Sequence, residues 1–294
     1  MWDGFNEGRA RLGDAEIYYR TGGSGPPLLL LHGYPQTHFI WHKVAPILAR
    51  SFTLVMPDLR GYGRSRGPVP DAGHLAYSKR VMAADMVALM AQLGFARFGL
   101  AGHDRGGRVG YRLCLDHPAL VTRFAAIDII PTLDAWDRMN ADNALATYHW
   151  QFLAVPAPVP ERMIGADPDF YFDHLLDRWA GHRDRLDPLA VADYLAQYHD
   201  PAAIAASCED YRAGATVDRA QDAGDRAAGN RIACPVLVLW GRGYLGPKAA
   251  SPLSVWQGWA DDVREVALDC GHFVVEEEPE PAAAALAEFF AEGR

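Results

Sequence analysis

Residues 101–107, AGHDRGG, place Asp104 between two glycines at the junction of two predicted elements. An apolar stretch at 97–100 precedes the junction, and a segment with helical spacing follows at 108–115. A strand that turns sharply into a helix through G-x-Nu-x-G presents its central side chain as a nucleophile, which is usually serine. An aspartate in that position predicts a carboxylate nucleophile. The alternative is a carboxylate that only caps the helix N-terminus.

A histidine near the C-terminus is the candidate base. His272 stands in the run DCGHF, directly after the last apolar run of the chain. The turn at 241–246 has no acidic residue, whereas Asp128 interrupts the apolar run FAAIDII. Because a buried carboxylate needs a partner, we predict that Asp128 orients His272 and stabilises its charged form. The alternatives are a loop histidine without a chemical role and a buried salt bridge for Asp128.

Two backbone amides are the candidate donors to an oxyanion. The sequence HGYP follows the first long apolar run, so the amides of Tyr34 and Arg105 are predicted to form the oxyanion hole. An ionised carboxylate needs no base before it attacks, and Asp104 therefore suits displacement at an sp³ carbon. The resulting ester would be hydrolysed by water that His272 activates. This chemistry predicts a hydrolase of carbon–halogen bonds or of epoxides.

Two arginines next to the nucleophile favour an anionic substrate. Arg105 follows Asp104, and Arg108 comes three residues later on the same face of the predicted helix. Guanidinium groups bind carboxylates in a bidentate manner, so the pair is predicted to hold a carboxylate beside the carbon under attack. The alternative is that one of the two only pairs with a surface acid.

Short apolar runs predict the strands that must position these side chains. Six runs are typical of buried parallel strands, at 27–31, 52–56, 98–101, 124–130, 236–240 and 263–268. Helical stretches alternate with them, at 79–93, 106–115 and 281–290. The alternation predicts an α/β fold with a mostly parallel sheet that helices flank on both faces.

One segment interrupts the alternation of strands and helices. Residues 131–229 are rich in Trp, Tyr and Asp, show no clear strand pattern, and have several prolines near their start. We therefore predict a helical cap at 131–229. It would be inserted into a core made of residues 1–130 and 230–294.

Composition limits the partners of the protein. A formal net charge of −9 over 294 residues argues against nucleic acid or an anionic membrane as a partner. The N-terminal residues show no signal-peptide pattern, and no apolar run approaches the length of a membrane-spanning helix. Four scattered cysteines predict reduced thiols in a cytoplasmic protein: Cys114, Cys208, Cys234 and Cys270.

Neither a metal nor an organic cofactor is predicted. His38 and His42 lie four residues apart but lack a third ligand nearby, so we interpret them as ordinary residues on a helix surface. The glycines at 61 and 63 belong to a turn, and no dinucleotide fingerprint is found. The predicted partner is a small anionic substrate.

Several strings of the sequence resemble one branch of the α/β-hydrolases. The strings are HGYPQTHFIWHKVAPILA, DLRGYGRS, GHDRGGRVGYRL, IDIIPT, YHWQFL, PDFYFDHLLDRW, CEDYRAGAT and CGHF. Together they are similar to the fluoroacetate dehalogenases, and the resemblance runs nearly from end to end. It implies the α/β-hydrolase fold with an inserted cap, the roles assigned above to Asp104, His272, Asp128, Arg105 and Arg108, and a homodimer.

The resemblance also implies residues that composition and spacing do not show. His149, Trp150 and Tyr211 would donate hydrogen bonds to the departing halide, and Trp179 would line the pocket. On the sequence alone, a His-Trp pair in a cap is more often a packing feature. The chain departs from the family pattern in the HGFP-like segment, where Tyr34 brings a hydroxyl near the oxyanion hole. Bulky residues also occupy the loop after VLVLW, at Arg242 and Tyr244.

Three functions therefore compete. The favoured one is hydrolytic dehalogenation of short 2-haloacids through a covalent aspartyl ester. An epoxide hydrolase shares the aspartate turn, the cap and the late histidine, and the cap offers several tyrosines: Tyr148, Tyr171, Tyr194 and Tyr198. Arg105 speaks against that alternative, because an aromatic residue is usual after its nucleophile. A non-catalytic receptor on the same fold is the third possibility.

Overall fold

A single eight-stranded sheet organises the protein, and the computed structural model describes residues 2–245 and 251–292. The strands are β1 (Phe5–Leu12), β2 (Ala15–Gly23), β3 (Pro27–Leu31), β4 (Thr53–Pro57), β5 (Phe98–His103), β6 (Val121–Ile127), β7 (Val236–Gly241) and β8 (Val263–Leu268). The helices of the first part are α1 (Ala45–Leu48), α2 (Lys79–Gln92) and α3 (Arg105–Asp116). Between β6 and β7 lie α4 (Thr132–Asp137), α5 (Ala141–Ala146), α6 (Tyr148–Ala154), α7 (Val159–Ala166), α8 (Pro168–Trp179), α9 (Pro188–Ala196), α10 (Pro201–Ala213) and α11 (Arg219–Ala228). The last helices are α12 (Leu253–Trp256), α13 (Val274–Glu277) and α14 (Pro279–Ala291).

The strand order is β1-β2-β4-β3-β5-β6-β7-β8. β1 and β2 pair antiparallel, as do β2 and β4, and every other pair is parallel. The prediction of a mostly parallel sheet flanked by helices is thus confirmed. β1 and β2 were not predicted, because neither is a continuous apolar run. β1 (FNEGRARL) lies at the sheet edge and is largely exposed, and β2 (AEIYYRTGG) mixes apolar with charged and polar residues. None of the described helices is both long and apolar enough to span a membrane.

Apolar runs form the central strands because both faces of the sheet are covered. Successive side chains of a strand point to opposite faces, and in β3 they enter two different clusters. Leu29 and Leu31 pack with residues of α2 and α3, whereas Leu28 and Leu30 pack with residues of α1 and α14. All four leucines are fully buried, as a parallel strand between two helical layers requires.

Three helices of the segment between β6 and β7, α8, α9 and α10, begin at an Asp-Pro pair. Asp167, Asp187 and Asp200 each cap a helix whose first residue is proline. Their carboxylates accept backbone N–H bonds of 3.2, 2.8 and 3.0 Å, respectively. Aspartate satisfies an amide that the helix leaves free, and proline lacks that amide and has a helical φ already. The described part of this segment holds no strand of the sheet, while the domain boundaries at 131 and 229 stay a prediction.

A tight turn between β5 and α3 holds Asp104. Its backbone has φ +46° and ψ −115°, a conformation that residues other than glycine rarely adopt. A Cβ at Gly102 would lie 2.5 Å from the carbonyl oxygen of Gly106, and a Cβ at Gly106 would lie 2.3 Å from that of His32. Only glycine therefore lets strand, helix and the loop after β3 approach closely enough to present Asp104 at the carboxyl edge of the sheet.

We expect Gly106→Ala to lower the free energy of unfolding by about 1–3 kcal/mol, because its Cβ meets backbone that cannot move away. Gly224→Ala is the matched control, since Gly224 lies in α11 with nothing within 4 Å of an added Cβ. That control should stabilise the protein by up to about 1 kcal/mol through helix propensity. Chemical denaturation of both variants measures the difference. Equal stabilities would contradict the tight packing of the turn.

Candidate active site

Asp104 is a buried carboxylate that stays ionised. One oxygen, Oδ1, accepts the backbone N–H of Tyr34 at 2.9 Å. The amide of Arg105 opens α3 and has no acceptor within the helix. Burial by itself would raise the pKa of Asp104, but His272, Arg105 and Arg108 outweigh burial and hold the pKa below its usual range. The carboxylate is therefore charged and positioned before any substrate arrives.

His272 and Asp128 form a hydrogen-bonded pair next to it. His272 Nδ1 lies 2.5 Å from Asp128 Oδ2, and Asp128 Oδ1 accepts the Gly241 N–H at 2.9 Å. The other ring nitrogen, His272 Nε2, lies 3.8 Å from Asp104 Oδ2. Burial lowers the pKa of His272 to about 4. At neutral pH the imidazole is thus uncharged, with Nδ1–H directed to Asp128 and Nε2 free to accept a proton.

The loop that carries His272 is held from two sides. The carboxylate of Glu277 accepts the N–H of Gly271 and that of Phe273, each at 3.1 Å. The N–H of His272 itself donates to the carbonyl oxygen of Trp179, at the end of α8, at 2.8 Å. The position of the histidine consequently depends on the helical segment after β6 as well as on the sheet.

A cavity of about 450 Å³ opens onto these groups. Its lining combines Asp104, Asp128 and His272 with aromatic and aliphatic side chains and an exposed rim: Asp104, Arg108, Asp128, Ile129, Ile130, Ala135, Arg138, Met139, Asn143, Ala146, Thr147, Trp150, Arg178, Trp179, Tyr244, Leu245, Pro252 and His272. Its volume is within the usual range for small-molecule sites. Among the described residues, no cluster of His, Cys, Asp and Glu is arranged to hold a metal ion.

Arg108 is a buried cation that faces the cavity. Its Nη1 donates to the carbonyl oxygen of Ile130 at 3.0 Å and to Thr132 Oγ1 at 3.1 Å, and its guanidinium lies 4.5 Å from the ring centre of Trp150. Within the described ranges, no carboxylate oxygen lies within 4.0 Å of it. Burial, followed by the neighbouring charge of Arg105, lowers the pKa of Arg108. A bound anion would counteract both effects, because it stabilises the charged guanidinium.

Arg105 is also buried, but an acid of α10 already binds it. Its Nε donates to Asp210 Oδ1 at 3.0 Å, and its Nη2 contacts both Asp210 Oδ1 and the Asp210 carbonyl oxygen. Asp210 also contacts Lys79 and accepts the hydroxyl of Tyr62 at 2.7 Å. The remaining nitrogen, Arg105 Nη1, is buried and has no hydrogen-bond partner in the described structure. Nη1 is therefore the one Arg105 nitrogen left without an acceptor there, and Arg105 is not among the residues that line the cavity.

The three predicted halide donors lie together. The ring centres of His149 and Tyr211 are 5.7 Å apart, and those of Trp150 and Tyr211 are 6.2 Å apart. The Arg105 guanidinium carbon lies 4.2 Å from the ring centre of Tyr211. Trp150 lines the cavity, whereas His149 and Tyr211 are buried beside it. Burial lowers the pKa of His149 to about 3, so its ring is neutral, and its Nδ1 has no partner among described residues.

The other predicted positions separate into two groups. Trp179 and Tyr244 line the cavity, and the ring centre of Tyr244 lies 4.3 Å from that of His272. Arg242 instead pairs with Asp269 at 2.7 Å on the surface. The Tyr34 hydroxyl is buried, while the Tyr34 ring packs 5.2 Å from Tyr211. Residue 246, in the turn without an acid, lies outside the described residues.

The interpretation of His38 and His42 as surface residues is wrong. Both are buried, and His38 Nδ1 lies 2.8 Å from Asp58 Oδ1. His42 Nδ1 contacts the carbonyl oxygen of Phe39 at 2.8 Å. Spacing alone did not show the error, because these residues belong to a short 3₁₀ helix and its C-cap. The rings of Trp2 and Tyr18 pack on His38, and His42 Nε2 lies 3.7 Å from Asp187 Oδ2.

Sequence reasoning also missed Asp210 and Lys79. Both are buried, with 0% and 1% exposure, and they surround Arg105 with charge from two separate helices. The available signal was the acid directly before Tyr211 in the run CEDYRAG. A buried carboxylate needs a partner, but the sequence shows neither that Asp210 is buried nor which cation pairs with it.

Comparisons with known proteins agree with the fold. Residues 26–279 match the alpha/beta hydrolase fold family. The chain is 45% identical to a fluoroacetate dehalogenase of Burkholderia sp, over all of this chain and 96% of that protein. It is 32% identical to a soluble epoxide hydrolase of Corynebacterium sp. (strain C12), over 96% of each chain.

A solved structure extends the similarity to three dimensions. A protein from Nostoc sp PCC 7120, assigned provisionally to the alpha/beta hydrolases, superposes with a TM-score of 0.97 at 44% identity. The match covers 99% of this chain and 100% of that one. The match over 26–279, the order of the strands and the tight turn at Asp104 lead to one conclusion. The chain belongs to the alpha/beta hydrolase fold family and is a hydrolase.

Proposed function

We propose that the protein hydrolyses short 2-haloacids, such as fluoroacetate to glycolate and fluoride, through a covalent ester on Asp104. The observation that carries the proposal is the pair of opposite charges in one cavity. An ionised Asp104 with His272 beside it lies next to Arg108, a buried cation that no described carboxylate neutralises. The 45% identity to a fluoroacetate dehalogenase supports the same conclusion.

The geometry distinguishes the two oxygens of the nucleophile. Oδ1 of Asp104 is bound by the Tyr34 amide, whereas Oδ2 faces His272. Oδ2 is therefore the oxygen that attacks. As the bond from Oδ2 to the α-carbon forms, the carbon–halogen bond breaks and the halide leaves with the electron pair. Arg108 and the free Nη1 of Arg105 hold the substrate carboxylate during this displacement, which inverts a chiral α-carbon.

The halide leaves towards hydrogen-bond donors. Fluoride leaves slowly unless its developing charge is stabilised, and donors fixed in a water-poor site do this without reorganisation. His149, Trp150 and Tyr211 supply one N–H or O–H each. All three are buried, which increases the strength of each electrostatic interaction.

Water then hydrolyses the ester. His272 Nε2 removes a proton from water, and the hydroxide attacks the carbonyl carbon of esterified Asp104. The resulting oxyanion forms on Oδ1, where the amides of Tyr34 and Arg105 donate to it. Collapse of this intermediate breaks the bond from Cγ to Oδ2 and releases the 2-hydroxyacid, whose oxygen takes the proton from His272. Asp104 keeps the oxygen of the water and loses the second water proton to solvent, which restores its carboxylate. Asp128 stabilises the histidine while it is charged.

Two further functions are distinguished by the same site. The similarity to a soluble epoxide hydrolase and the Tyr211 hydroxyl favour epoxide hydrolysis as a second candidate. A neutral epoxide has no carboxylate for Arg108 and Arg105 to bind. A receptor would not require the pairing of His272 with Asp128.

The proposal has three further parts. Residues 131–229 form a cap over the site, the protein is cytoplasmic, and it is a homodimer. The first rests on the sequence pattern and the other two on the cysteine pattern and the family resemblance. Light scattering of the purified protein would measure the mass of the oligomer. A monomer at every concentration would contradict the dimer.

The direct test is halide release from fluoroacetate, chloroacetate and a styrene-oxide control. We expect free fluoride from the wild type and a loss of at least about 10³-fold in Asp104→Asn, because an amide is not a nucleophile at the sp³ carbon. An ion-selective electrode measures the product. Chloride release without fluoride would retain the mechanism and exclude C–F cleavage. Diol from styrene oxide without halide would establish an epoxide hydrolase, and no turnover at all would favour the receptor.

The pH dependence of ester hydrolysis should follow His272. The neutral imidazole is the active form, and its pKa is lowered to about 4. The rate should therefore be constant at neutral pH and fall only as the pH drops through about 4. The negative charge of Asp104 raises the pKa of His272, and esterification removes that charge. The pKa of His272 in the ester intermediate should therefore be no higher than in the free enzyme, and the fall in rate should not move to higher pH. A pH jump on preformed ester, followed by rapid quench, measures it. A fall near pH 6.5 would contradict the buried neutral base.

Trp150→Phe should slow fluoroacetate more than bromoacetate. Fluoride depends most on hydrogen-bond donors, so we expect kcat to fall about 10–100-fold for fluoroacetate and less than about threefold for bromoacetate. Trp150 also contacts Arg108, so any weakening of carboxylate binding by the substitution affects both substrates alike. Dividing the loss in kcat for fluoroacetate by the loss for bromoacetate cancels that shared effect. Trp136→Phe is the control, because Trp136 packs 5.6 Å from Trp150 and does not line the cavity. Equal losses for both substrates would remove Trp150 from the halide site.

A further inference from the structure

The rim of the active-site cavity carries two exposed arginines. Arg138 follows α4, Arg178 lies in the last turn of α8, and both line the cavity. Helix α5 lies between them. Asn143 Nδ2 donates to the carbonyl oxygen of Arg138 at 2.7 Å, and Arg178 Nη2 donates to that of Leu145 at 3.4 Å. Arg138 and Arg178 therefore flank α5 at the rim of one cavity.

The charges of both arginines are uncompensated in residues 2–245 and 251–292. No described Asp or Glu oxygen lies within 4.0 Å of either guanidinium. The acids next to them in sequence pair elsewhere. Asp137 lies 3.9 Å from Arg219 and 3.8 Å from Arg226, and Asp177 lies 2.6 Å from Arg183.

A third such cation lies deeper in the same cavity. Arg108 faces Asp104 and has no described carboxylate partner, so unneutralised guanidinium groups line the path from the rim to the nucleophile. This distribution is notable in a chain of formal net charge −9, because the overall field repels anions. A local cluster of one sign at a cleft concentrates ions of the opposite sign there.

We propose that Arg138 and Arg178 form an anion-capture site at the mouth of the cavity, which takes up a small monocarboxylate and delivers it to Arg108. The inference rests on the proposed function, since it requires a carboxylate substrate. It assigns substrate selection to two exposed residues, separate from the buried arginines that hold the bound carboxylate. Neutral substrates of the same size gain nothing from this site.

The test is the double variant R138Q/R178Q. Its matched control is R97Q/R162Q, which removes the same total charge from two exposed arginines that do not line the cavity and have no ion pair in the described structure. Halide release from chloroacetate is measured at low ionic strength and again in sodium sulfate, a salt without halide or carboxylate. At low ionic strength the Debye length reaches about 30 Å at 0.01 M, and at 1 M it falls to about 3 Å.

At low ionic strength we expect kcat/KM of R138Q/R178Q to fall about fivefold, the size expected for two charges several ångströms from an anion in water. The loss should lie in KM, with kcat changed less than about twofold, and it should disappear at high salt. The control should follow the wild type throughout. An unchanged kcat/KM and salt dependence in R138Q/R178Q would overturn the proposal, as would an equal loss in the control.

A binding measurement separates this inference from the proposed function. Acetate has the carboxylate but no leaving group, and its binding can be followed by the fluorescence of Trp150 and Trp179, which line the cavity. Weaker acetate binding in R138Q/R178Q than in the control would support the capture site even if no halide were released. Equal acetate binding in the two, or none in the wild type, would overturn it even if dehalogenation were observed.

Discussion

Asp104 has to stay ionised in a place where burial favours its neutral form, and much of the structure meets this constraint. The residues around it supply positive potential: two arginines and a backbone amide. The tight turn with φ +46° presents the carboxylate to all of them at once. Because a buried charge without such partners would take up a proton, Asp104 and its cations form one electrostatic unit.

The same electrostatic unit joins the sheet to the helices between β6 and β7. Asp210 of α10 binds Arg105 of α3 and Lys79 of α2. The carbonyl of Trp179 in α8 accepts the amide of His272. Each contact is buried and polar, and breaking one partner would leave an uncompensated group. The reaction chamber is therefore assembled by contacts across the two parts of the chain, not by the sheet alone.

Both arginines were predicted as equivalent carboxylate ligands, yet the structure gives them different surroundings. Arg105 is already neutralised by Asp210 and has one free nitrogen. Arg108 donates only to neutral oxygens and keeps an uncompensated charge. Adjacent positions on one helix face predict proximity, but the counter-ion of each guanidinium comes from residues distant in the sequence. Of the two, Arg108 is consequently the one whose charge has no counter-ion among the described residues.

The sequence by itself determined the parallel strands, the turn at Asp104 and the types of group that meet there. These depend on local patterns: continuous apolar runs, glycines around one residue, and an acid within a buried strand. The pairing of His272 with Asp128, 144 positions apart, also followed from that acid. Tertiary structure decided the counter-ions of the arginines and the burial of His38 and His42. Partners distant in the chain leave no periodic signal, because only folding brings their charges within a few ångströms.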